Sequence, residues 1–169
     1  MSGERAPDGA AAELRRAFDA AFAAPPRDAR ADEVALLALR VGSDPYALRL
    51  LEARGLLQLR GVVPVPSRRA ELLGVTGLRG AVVPVYSLAR LLGRGAGDED
   101  PRWAVLCGAE ERVAVAFGAF EGHVAVAAKE LVAADGGAAR EHVTHLATAA
   151  GALRPLLSLD SILRAITRR

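Results

Sequence analysis

The residues of this chain with the widest chemical repertoire are three histidines and one cysteine: His123, His142, His145 and Cys107. A zinc site needs three or four such ligands converging on one point. On an extended strand His142 and His145 point to opposite faces, because side chains alternate with period two, and Cys107 adds a single ligand. No metal site is expected, and the histidines read as surface residues. Cys107 ends the apolar run Trp103–Cys107, where a buried, inert thiol is the usual outcome. Nucleophilic use needs a neighbouring base and activating surroundings, and the sequence points to neither. The carboxylates of Glu110 and Glu111 fall in an expected hairpin turn, where exposure leaves them ordinary. Gly74, Gly77 and Gly80 recur every third residue, but the run matches neither G-x-x-x-x-G-K-[ST] nor G-x-G-x-x-G. Glycines before a strand more simply permit tight turns and close backbone approach. No catalytic residue and no cofactor is expected.

Charge is the remaining resource. The formal net charge is +2, and Lys129 is the sole lysine among the cations. A nucleic-acid binder concentrates its cations on one face and stacks bases on exposed aromatics. Here Arg5, Arg40, Arg79, Arg112 and Arg154 are scattered along the chain, and four Phe, two Tyr and one Trp leave little to stack on. Trp103, Phe117 and Phe120 are more economically core residues. A small-barrel nucleic-acid binder remains the alternative reading, and a solvated surface of mixed sign the simpler one. The apolar runs, such as Val34–Leu39, stop short of a bilayer's thickness, and the first ten residues lack the layout of an export signal. A lone cysteine fits a reducing compartment. The expected location is the cytoplasm, without direct membrane insertion.

The elements that position these residues are short strands. A chain of 169 residues, half of them hydrophobic, can build a packed core. Residues 1–33 differ from the rest: Leu14, Phe18 and Phe22 make a narrow helical stripe that Pro25-Pro26 ends. This segment is a helix folded back on its own domain, a partly disordered tail, or a docking helix for a partner. From Val34 onward, VALLALRV (34–41), VVPV (62–65), AVVPVYSL (81–88), WAVLC (103–107), VAVAF (113–117) and VAVAA (124–128) read as strands between turn residues. Residues 47–59 are ambiguous between helix and strand. The glycine-rich, then acidic, connector 93–101 separates two related halves. Pro84–Leu92 lines up with Pro155–Leu163, each a strand beginning at Pro followed by Ser-Leu entering a helix. VALLALRVGSDPYAL lines up with WAVLCGAEERVAVAF. The predicted fold is therefore mostly β, with a first lobe over about 34–93, a second over about 101–167, and short helices capping the lobes. A lobe of roughly 65 residues buries little surface alone, so the two must pack together. The groove between them is the expected functional site.

The run ELLGVTGLRGAVVPVYSLARLLG (71–93) resembles the signature of the CheW-like domain, whose pattern is Gly-Val-x-Asn-Leu-Arg-Gly-x-x-x-Pro-x-x-Asp-Leu. The chain matches it at Gly74, Val75, Leu78, Arg79, Gly80, Pro84 and Leu88, and the resemblance extends over residues 34–167. Gly77 and Ser87 depart from it, and Gly55 falls where the family often carries a glutamate. The resemblance implies two five-stranded SH3-like β-barrels. It also implies a non-enzymatic scaffold that joins chemoreceptor cytoplasmic tips to the regulatory domain of the histidine kinase CheA. By residue match, Arg79 takes the place of the family's functional arginine beside the groove, with Leu78, Gly80, Val75 and Leu56 as the other expected partner-binding residues. A guanidinium there suits bidentate pairing with a partner's carboxylates. An internal ion pair that fixes lobe geometry is the other role open to Arg79.

Overall fold

Alternation of side-chain size decides how this chain layers. In VAVAF the valines and the phenylalanine fall on one face and the alanines on the other, and every residue of the strand is buried. Both faces of the strand therefore lie against protein. The computed structural model describes residues 32–95, 100–108, 112–134 and 141–168. The N-terminal helix expected before Pro25 lies outside them. Val34–Arg169 form one compact unit.

Eleven strands are described, β1 (Glu33–Val41), β2 (Asp44–Arg49), β3 (Gly55–Gln58), β4 (Leu72–Leu78), β5 (Ala81–Ser87), β6 (Trp103–Cys107), β7 (Val113–Phe117), β8 (Ala119–Ala127), β9 (Val132–Ala133), β10 (Val143–Ala149) and β11 (Ala152–Leu157). The helices are α1 (Leu88–Leu91) and α2 (Leu159–Thr167). A six-stranded sheet runs β8-β1-β2-β11-β10-β9, and a five-stranded sheet runs β3-β6-β7-β5-β4. The first has one strand more than expected, because the two-residue β9 pairs with the edge of β10.

The two copies of the repeat fold alike. β1–β2 and β6–β7 are both antiparallel hairpins. β11 lies parallel to β2 as β5 lies parallel to β7. Ser87 and Ser158 cap α1 and α2 by accepting hydrogen bonds from the backbone N–H of Arg90 and Ser161, which satisfies donors that a helix start leaves unpaired. The sheets, however, are not the sequential halves 34–93 and 101–167. The β1–β2 hairpin pairs with β11 of the second copy, and the β6–β7 hairpin pairs with β5 of the first. The chain crosses between sheets after β2 and again at Gly118, between β7 and β8. The connector after α1 leads from one strand of the five-stranded sheet to another, so it separates no sheets.

Three apolar clusters follow from the alternation. Leu37, Leu39 and Val41 of β1 meet Val105, Val115 and Phe117 in a core shared by the two sheets. Leu36, Ala47, Ala147, Ala149 and Leu156 fill the other face of the six-stranded sheet. Val83, Val85, Ala104, Ala114 and Ala116 fill that of the five-stranded sheet. Alanine suits these buried positions because a close-packed interior leaves little room for larger side chains. The buried residues of both helices, Leu88 and Ala89 of α1 and Leu159, Ile162 and Ile166 of α2, belong to the shared core. Both helices thus bury their apolar faces against the shared core. The run VVPV forms only an isolated bridge, Val63 to Val75, since Pro64 and Pro66 have no N–H to give a ladder.

Candidate functional site

The β4–β5 hairpin presents the arginine singled out by sequence. Leu78 faces Ala81 across a two-residue turn, and Arg79 and Gly80 take φ of 50° and 81°. Two positive φ values define a type I′ turn, whose twist matches that of its strands. The same turn recurs at Ala150-Gly151, with φ of 49° and 72°. Only the glycine is common to both, so the turn itself does not call for arginine at position 79. Non-glycine residues are strained in this region, and Asn and Asp tolerate it best.

Arg79, Leu78 and Leu56 line one groove of about 480 Å³, together with Leu57, Leu106 and Arg112. The groove lies at one end of the five-stranded sheet, where β3 begins, β6 ends, β7 begins and β4 turns into β5. Gly80 completes the turn beside it. Val75 lies apart, its backbone exchanging hydrogen bonds of 2.8 and 2.9 Å with Val63. Among the described residues the exposed Arg79 side chain has no hydrogen bond or ion pair, so no internal pair of the kind left open by the sequence is present there. Two further arginines, Arg54 and Arg112, share the groove. Their place was hidden in the sequence by their spacing, although each directly precedes a strand, Gly55–Gln58 or Val113–Phe117.

A second groove of about 610 Å³ adjoins the first through Arg112. Val82, Pro84 and Tyr86, alternate residues of β5, form one wall, and Ile166 and Thr167 at the end of α2 form the other. This groove lies between a strand of the five-stranded sheet and the C-terminal helix. Arg69 closes its end by donating to the backbone carbonyls of Ile166 and Arg168, the latter at 2.5 Å, so it serves α2 as a C-terminal cap.

The chemically versatile residues are elsewhere. Cys107 is buried, and burial pushes its thiol up to about 12. His142 is buried and not at the surface as expected. Its Nδ1 lies 2.9 Å from Ser161 Oγ, and burial lowers its pKa against a smaller opposing influence from Glu141. The cause is position: His142 precedes β10 and turns in under α2. Arg154, also read as scattered, is the largest fully buried side chain. It donates to the carbonyls of Ala149 (2.7 Å), Leu39 and Tyr46, and to Glu121 Oε2 at 2.5 Å. Arg40 reaches Glu121 Oε1 at 2.5 Å and, with Arg154, holds the Glu121 carboxyl below the usual carboxylate range. This cluster ties β8 to β1 and β11. Among the described residues no three His, Cys, Asp or Glu converge on a point that would hold a metal ion. No described helix is long and apolar enough to cross a membrane.

A family model of the CheW-like domain matches residues 35–167. The chain belongs to the CheW-like family. Two curated relatives are similar to it: a probable chemotaxis protein CheW of Rhizobium etli, 34% identical over 74 residues, and a chemotaxis protein CheW of Rhizobium meliloti, 31% identical over 71 residues. Each match covers 42% of this chain and 46% of the relative, so the chain spans about half the length of these proteins. The crystal structure of the scaffolding protein TtCheW from Thermoanaerobacter tengcongensis superposes with a TM-score of 0.65. That likeness covers 74% of this chain and 88% of the other at 12% identity, and it is a likeness of fold. The signature run 71–93 is thus where this CheW-like chain builds β4, the Arg79 turn, β5 and α1.

Proposed function

We propose that this chain is a non-catalytic adaptor that couples the cytoplasmic tips of chemoreceptors to the regulatory domain of the histidine kinase CheA. Family membership supports the reading, as do the names of the similar proteins, two of chemotaxis and one of scaffolding. The observation that carries it is Arg79, held outward on a strained turn at the rim of a leucine-lined groove, with no intramolecular partner among the described residues. An exposed guanidinium at the rim of such a groove is placed to meet a partner's carboxylates. In this reading the two curled sheets are SH3-like barrels, joined by a shared core that keeps their docking faces at a fixed separation. The approach of β8 to β10 within the six-stranded sheet favours such curling. The adaptor works in the cytoplasm at receptor arrays.

The test is co-purification of the full chain with the cognate kinase's regulatory domain and a receptor cytoplasmic fragment. Recovery of both in one assembly is expected, and Arg79→Ala is expected to lower receptor recovery with the fold intact. Recovery of neither partner by the unmodified chain would overturn the proposal.

A further inference from the structure

We infer that Arg54 and Arg112 join Arg79 in a cationic rim that selects a partner segment carrying an aliphatic side chain flanked by carboxylates. This rests on the adaptor reading and names the chemistry of the partner at that site. The fold engages several other arginines locally: Arg40 and Arg154 with Glu121, Arg94 with Asp44, Arg164 with Asp160, and Arg69 and Arg90 with backbone carbonyls. Arg60, Arg68 and Arg102 lie outside this groove. The three rim arginines have no such side-chain partner among the described residues, and no described carboxylate lines their groove. Three like charges around one opening repel each other and raise the local potential. An arriving anion relieves both.

The floor decides which anion. Leu56, Leu57, Leu78 and Leu106 supply apolar surface, and no aromatic side chain lines the groove for a base to stack on. An aliphatic side chain is the matching occupant, and planar guanidinium groups match carboxylates in bidentate geometry. Because Arg112 also lines the neighbouring groove along Val82, Pro84 and Tyr86, it stands where a segment would leave the leucine floor for the face of β5. Arg112 is therefore the specificity-determining residue that distinguishes a segment spanning both grooves from one that touches Arg79 alone.

The probe is a synthetic, end-blocked peptide with a central leucine between two glutamates on each side, and its glutamine counterpart, titrated into the full chain by fluorescence anisotropy. The acidic peptide is expected to bind, and to weaken about fivefold or more between roughly 50 and 500 mM salt. Each of R54Q, R79Q and R112Q is expected to weaken it by about five- to tenfold. Unchanged melting would show that these exposed substitutions leave the fold alone. Equal binding of the glutamine peptide, no effect of R54Q and R112Q, or displacement of the acidic peptide by a short single-stranded DNA at equal concentration would each overturn the inference. The same variants in the co-purification assay separate it from the adaptor reading. If R54Q and R112Q capture kinase and receptor as well as the unmodified chain, the rim is wrong and the adaptor stands. If the acidic peptide binds through the three arginines while neither partner is captured, the rim stands and the adaptor is wrong.

Discussion

Replacing Arg79 by asparagine separates what the turn needs from what the groove needs. Arg79 sits at φ 50° in the first position of a type I′ turn followed by Gly80. A left-handed conformation costs an ordinary L-residue about 1–2 kcal/mol, and Asn-Gly is the preferred pair for this turn. Asparagine should recover part of that strain, and Arg79 has no hydrogen bond or ion pair with a described residue to lose in exchange. The expected change is a gain of about 0.5–1 kcal/mol, read as a rise in melting temperature of about 1–4 °C. Urea titration should move the midpoint and leave the slope unchanged, since the surface exposed on unfolding is the same. Ala150→Asn is the control: it occupies the same turn position at φ 49° and should give a similar gain. The two variants should part in the co-purification assay, where Arg79→Asn loses receptor fragment and Ala150→Asn does not. A loss of stability above about 1 kcal/mol for Arg79→Asn would refute the reasoning, because a cost of that size exceeds the median surface ion pair. It would place Arg79 in an internal contact.

Gly74 has φ of 150°, and a Cβ there would come 2.1 Å from the carbonyl oxygen of Val63, so Gly74→Ala should cost about 3 kcal/mol by denaturant midpoint. Gly77→Ala, with nothing within 4 Å of the added atom, should stay within about 0.5 kcal/mol. Cys107, buried with its thiol at about 12, should resist a disulfide reagent at pH 8 until denaturant is added; rapid labelling of the folded chain would contradict the shared core. Glu121→Gln leaves the guanidinium of Arg154 buried without its carboxylate and should cost about 2 kcal/mol at pH 7, short of a fully buried pair because Glu121 is partly exposed. Its folded pKa lies below the ordinary value, so this contribution is present above the unfolded carboxyl's pKa and lost as pH falls through the folded one. The stability gap between the unmodified chain and Glu121→Gln should therefore close on acidification, as thermal melts across pH 7 to 3 would record.

Much of the fold is legible in residues that act locally. The paired Ser-Leu helix entries at Ser87 and Ser158 read as they form, because a cap is decided within a few residues. Pairing between distant strands is not local. VALLALRV is apolar on both faces, and nothing in it says whether it will lie beside AVVPVYS or ALRPLL, so the exchange of hairpins between the repeat copies stayed out of view. The same limit applies to Arg154, whose partners Leu39 and Tyr46 are more than a hundred positions away, and to His142, buried only because α2 returns over it. At the site, Arg79, Leu78 and Leu56 were placed together by a resemblance over a continuous run and its upstream neighbour. Arg54 and Arg112 required the sheet to set the starts of β3 and β7 on either side of the end of β6.

The exchange of hairpins has a consequence for how such a protein passes on force or position. Were each sheet a sequential half, the connector after α1 would join two bodies free to separate, and inter-domain contacts of modest size allow such motion. Here each sheet is built from both copies, the chain crosses between sheets with Gly118 alone between β7 and β8, and Leu39, Phe117 and Ile162 lie in one apolar cluster. Prising the sheets apart would strip that cluster and pull strands from their ladders at once. A surface on one sheet is thereby tied through the shared core to a surface on the other. If the proposed adaptor places two partners relative to each other, that rigidity is the property it would use, and it is encoded in which hairpin pairs with which.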